Sequence, residues 1–156
     1  MPDASARSRR LGLGLAIMTI GIAVVVTQWR FHFDATRFGM HVRWNRIDWH
    51  WFPRTPMGHV RLDKDFALNL LMLVPLGIGF ALWRRASGLR IVIEALLLGF
   101  ATSALLELAQ LANAYRYTTF ADVWRNTLGC VVGAIVIVAL RRSAKVSPSP
   151  SASGSR

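Results

Sequence analysis

Residues 89–112 read LRIVIEALLLGFATSALLELAQLA. The stretch is apolar nearly all round a helix and lacks the period-two alternation of a barrel strand. About 20 such residues cover the ~30 Å of hydrocarbon in a bilayer. Working outward, residues 11–27, 66–83 and 127–140 are runs of the same kind. The predicted fold class is therefore all-α, a polytopic membrane bundle of four transmembrane helices. The spans are expected at about 11–28, 66–84, 89–112 and 121–141, with a ~35-residue extracytoplasmic loop, 29–65, between the first two. Composition agrees. The chain is 53% hydrophobic and 17% charged, where a soluble domain carries about 25% charged residues.

The net charge of +11 would suggest nucleic acid in a soluble chain. Here the charges flank the spans, so the lipid bilayer is the expected partner and nucleic acid is not. Arg7, Arg9 and Arg10 precede the first span. Arg84, Arg85 and Arg90 lie between the second and third, and Arg141, Arg142 and Lys145 follow the fourth. Four spans put these clusters on one side, and positive clusters mark the cytoplasm. Both termini are thus expected in the cytoplasm, with a multi-pass protein in the inner membrane. The loop also carries Arg30, Arg37, Arg43, Arg46, Arg54, Arg61 and Lys64, against that rule, partly offset by Asp34, Asp48, Asp63 and Asp65.

The domain organisation expected is a basic tail at 1–10, one membrane domain at 11–141 and a disordered Ser/Pro/Ala-rich tail at 142–156. The first span ends Val25-Val26-Thr27-Gln28-Trp29, without an Ala-x-Ala site, so it is read as an uncleaved helix. Cys130 is a lone cysteine inside the last span and reads as a small packing residue.

The loop is rich in Trp and Phe, at home at the membrane–water interface. Met40–Trp44 and Ile47–Trp51 alternate in the manner of strands or hairpin arms. Histidines recur at positions 32, 41, 50 and 59. No pair has the i,i+4 spacing of helical ligands, so neither a metal nor another cofactor is expected.

The informative residues are polar ones inside the spans, where an ionisable group costs at least ~2.5 kcal/mol. Asp65 and Asn69 open the second span one helical turn apart, and Pro75 with Gly77 predicts a kink. In the third span Gly99, Glu107 and Gln110 fall within about 40° of Ser103. In the fourth, Asn126, Gly129 and Gly133 fall within about 40° of Asp122. Gly129 and Gly133, four apart, allow close helix approach. Three polar stripes at one end of a bundle are best accommodated if they meet. The expected cluster is Asn69, Glu107, Gln110, Arg116, Asp122 and Asn126, with Arg116 as the cation facing the two acids.

These residues carry a resemblance. Residues 69–77 (NLLMLVPLG), 103–110 (SALLELAQ), Arg116 with Asp122, and 126–133 (NTLGCVVG) resemble, in that order, the VanZ-like family of bacterial membrane proteins over about residues 64–141. Trp29–Phe33 and Arg46–Trp49 are similar to loop pieces of some members. The resemblance implies a bacterial polytopic envelope protein and an association with teicoplanin-type glycopeptide resistance. The family often has further acids where this chain has Thr119 and Ala121.

Three functions follow as expectations. The cluster binds or acts on an envelope ligand, for instance a lipid-linked cell-wall precursor. Alternatively, Glu107 and Asp122 supply acid–base chemistry to a membrane enzyme, for which the sequence marks no nucleophile. Or the chain is a structural subunit that binds another membrane protein.

Overall fold

The computed structural model describes residues 4–29, 32–52, 64–84, 88–114 and 118–146. Helix α1 spans Ala4–Thr27, α2 Arg37–Trp44, α3 Lys64–Met72, α4 Val74–Trp83, α5 Leu89–Gln110 and α6 Phe120–Val146. The described residues contain no strand, only two isolated bridges. Four stretches are long and apolar enough to cross a membrane: Ser5–Thr27, Phe66–Trp83, Leu89–Gln110 and Phe120–Ala144. α1 begins inside the basic tail, and α6 continues past Arg141.

Large apolar side chains such as Ile17, Leu97, Leu105 and Ile135 point outward. The interior is built from small and medium residues, among them Ala23, Leu76, Ala95, Cys130 and Ala134. This arrangement suits a solvent of lipid, where close packing and polar contacts rather than apolar burial join the helices.

The second span is two helices with a break at Leu73 (φ −101°, ψ 5°). Pro75 is the cause, since it has no N–H for the carbonyl four residues back and its ring crowds that carbonyl. Helix α4 restarts with Gly77 N–H donating to the Leu73 carbonyl at 3.1 Å. α6 packs along both halves at backbone distance. A Cβ on Gly129 would collide with the Leu70 carbonyl, one on Gly133 with that of Val74, and one on Gly77 with that of Cys130. α1 crosses α4 in the same way, where a Cβ on Gly12 or Gly79 would stand 2.6 Å from the other's carbonyl oxygen.

One expectation is corrected. Met40–Trp44 is not a strand but the end of helix α2, and Ile47–Trp51 offers only the single bridge at Asp48. The helix is set by its start. Thr36 Oγ1 accepts from Gly39 N at 3.1 Å, and Asp34 Oδ1 accepts from Thr36 N and Oγ1 at 3.1 and 2.7 Å. A capped start outweighs a short alternating pattern.

Between these ends the loop is stitched to the α5–α6 connection. Asp34 N donates to Ala112 O at 2.8 Å, and Ala114 N to His32 O at 2.9 Å. Asp48 N donates to Thr118 O at 3.2 Å, and Phe120 N to Asp48 O at 2.8 Å. Arg43 adds Nε to Leu111 O at 2.5 Å and an ion pair with Asp34 at 3.3 Å. The outer faces of Trp29, Phe38, Trp44 and Trp49 stay exposed. His59 and the loop's Pro53 to Asp63 lie outside the described residues.

Candidate functional site

The polar residues of α3, α5 and α6 gather at the loop end of the bundle, in two adjoining networks. The first lies between α3 and α6. Asn69 Nδ2 donates to Asp122 Oδ1 at 2.5 Å, and Arg125 Nη1 pairs with the same oxygen at 3.3 Å. Asp122 sits in the first turn of α6, where the helix dipole favours a negative charge. Its N–H donates to Thr119 Oγ1 at 3.2 Å, so Thr119 caps the helix.

The second network surrounds Glu107 on α5. Gln110 Nε2 donates to Glu107 Oε1 at 3.2 Å, and Thr119 N–H donates to Oε2 at 3.2 Å. Thr118 Oγ1 donates to the Glu107 backbone carbonyl at 3.3 Å. Glu107 is only 4% exposed. Thr119 therefore touches both networks, holding Glu107 with its N–H and Asp122 with its hydroxyl. Ser103 is a second link. Its Oγ accepts from Asn126 Nδ2 at 3.0 Å and lies 3.5 Å from the Asp122 carbonyl.

Of the residues predicted from the sequence, Asn69 and Asp122 meet directly, Glu107 and Gln110 meet directly, and Asn126 joins Ser103 between them. Arg116 lies outside the described residues. Arg125 is the residue that sequence reasoning missed. It is 2% exposed and supplies a described cation to Asp122. Phe66 and Trp124 stand 4.7 and 5.7 Å from its Cζ, within cation–π range. Its Nε and Nη2 are buried with no hydrogen-bond partner, as is Asn126 Oδ1. Its sequence signal is slight: Arg125 follows Asp122 by three residues, the spacing of a helical charge pair, but it precedes the apolar run at 127–140.

A model of the VanZ/LLP1 family matches residues 15–141. The chain belongs to the VanZ/LLP1 family. The match takes in part of the first span, the second and third, most of the fourth and both networks. No curated protein and no solved structure matches this VanZ/LLP1 member significantly. Among the described residues no group of three or more His, Cys, Asp or Glu side chains is placed to hold a metal ion.

At the opposite end of the bundle lies a contrasting cluster. Arg84 Nε and Nη2 donate to the two oxygens of Glu94 at 2.9 and 2.8 Å, and Arg90 Nε donates to Glu94 at 3.0 Å. Arg141 Nη2 donates to Ala81 O at 2.7 Å. These bonds tie together the arginine-rich ends of α4, α5 and α6.

Proposed function

We propose that this VanZ/LLP1 protein is a multi-pass protein of the bacterial cytoplasmic membrane whose polar cluster binds an envelope or lipid-linked ligand from the extracytoplasmic side. One observation carries the reading. Charged and amide side chains from three helices converge at one end of the bundle, although each is costly in hydrocarbon. A lock between helices needs much less, since interhelical polar contacts average about 0.6 kcal/mol. The orientation rests on the arginine clusters, which lie at the end opposite the site. Reporter fusions after Arg10, Arg85 and Lys145 should read cytoplasmic, and a fusion near Gly58 should read extracytoplasmic. A cytoplasmic reading at Gly58 would overturn the orientation.

A second reading has its own support. Gly77, Gly129 and Gly133 bring α3, α4 and α6 together at backbone contact, so the same polar pairs fit a structural or partner-binding subunit. The deciding experiment compares lipid and cell-wall precursors, with teicoplanin susceptibility, in a deletion strain and a Glu107→Gln strain. Matching changes support ligand binding or chemistry at the cluster. A silent Glu107→Gln strain beside an altered deletion strain supports the structural reading.

A further inference from the structure

Arg125 is held at one corner and lacks a hydrogen-bond partner at the other, where both nitrogens are buried. Its Nη1 engages Asp122 at 3.3 Å, while Nε and Nη2 have no partner. Those two nitrogens form the side-on fork of a guanidinium, the pair of parallel donors that matches two oxygens of one oxyanion. The same molecule shows what the fork does when filled. Arg84 uses Nε and Nη2 on the two oxygens of Glu94, at 2.9 and 2.8 Å. The Arg125 fork is the equivalent pair without its acceptor, on a side chain only 3% exposed.

The surroundings narrow the acceptor. Arg125 lies five residues into α6, within about 8 Å of the helix start at 1.5 Å per residue. The rings of Phe66 and Trp124 beside it suit an apolar body behind a charged head. The oxyanion abundant at that depth of a bilayer surface is phosphate. We infer that the side-on fork of Arg125 is the receptor for a phosphate group, carried by a lipid or free. The inference rests on the envelope-ligand reading and names its chemical class. Asp122 then has two roles: it orients the guanidinium through Nη1, and its charge keeps the affinity for a second anion moderate.

The test uses the full chain in maltoside micelles, which contain no phosphate. Titration calorimetry compares dihexanoyl phosphatidic acid, inorganic phosphate, octanoate and dihexanoyl glycerol. The expected result is binding of the lipid phosphate, with dihexanoyl glycerol and octanoate at least about tenfold weaker. Inorganic phosphate bound as tightly as the lipid would support the receptor and assign it to free phosphate. Arg125→Lys keeps the charge but loses the fork, so lipid-phosphate affinity should fall at least about tenfold. Asp122→Asn should raise it several-fold. Absence of binding by either phosphate probe, octanoate bound as well as phosphate, or unchanged affinity in folded Arg125→Lys would each overturn the inference. Should Arg125→Lys fail to fold, the phosphate-against-glycerol contrast in the unaltered protein still decides. An altered envelope in the Glu107→Gln strain with no phosphate binding would remove this inference alone. Phosphate binding with a silent Glu107→Gln strain would keep it and remove the broader reading.

Discussion

The two ends of this bundle each place an arginine beside an acid, and they use it differently. At the arginine-rich end, Arg84 grips Glu94 with its full side-on fork, and the pair is partly open to water. At the loop end, Arg125 is nearly inaccessible, offers only one corner to Asp122 and leaves the fork unfilled. The first arrangement is complete in itself. The second leaves two buried donors without an acceptor, and the phosphate proposed above would supply one.

The largest expected effect separates the two arginines. Arg125→Met takes the buried arginine from Asp122, and breaking a buried pair costs about 3 kcal/mol, the low end because Asp122 is partly exposed and keeps Asn69. Arg84 is 37% exposed, and Arg84→Met leaves Arg90 on Glu94, so it should change stability little. Thermal unfolding in detergent checks both. Equal losses would erase the distinction between the ends.

A smaller effect probes what holds the loop end together. Gly129→Ala drives a Cβ into the Leu70 carbonyl, one residue from Asn69. Overpacking should cost about 1–3 kcal/mol and lengthen the Asn69–Asp122 contact. Gly14→Ala meets open space and should stabilise α1 by about 0.5–1 kcal/mol. Equal melting temperatures for the two variants would contradict the close α3–α6 approach.

The pattern of what could be read from the sequence follows the same division. Hydropathy alone places the four spans, and Pro75 foretells the break at Leu73, because both are local properties of the chain. Helical spacing puts Asn69 and Asp122 on the polar stripes of their spans, but their direct contact belongs to the packing of α3 on α6. Arg125 escaped because arginines near span ends normally flank a membrane, and only tertiary packing against Phe66 shows this one to be inside. Helix α2 escaped because Met40, Val42 and Trp44 alternate, while the deciding cap lies upstream at Asp34 and Thr36. Arg43 likewise read as one more loop charge until its contact with the Leu111 carbonyl was formed.

The smallest effect concerns that loop. The hydroxyl and N–H of Thr36, then Arg43, hold the Asp34 carboxyl below its ordinary value of 3.8. A lowered folded pKa means that the stabilisation is present above the ordinary value and is lost as pH falls through the lowered one. Tryptophan emission from the loop should therefore hold steady down to about pH 4 and shift only below it. Asp34→Asn should show the shifted emission at neutral pH. A transition centred above 3.8 would contradict the assigned role of Asp34.

Native mass spectrometry of the protein extracted directly from its membrane tests the central contrast most directly. The unaltered chain and Arg84→Lys should both retain a phosphate-bearing lipid, and Arg125→Lys should release it. The same bound lipid in all three proteins would contradict the account.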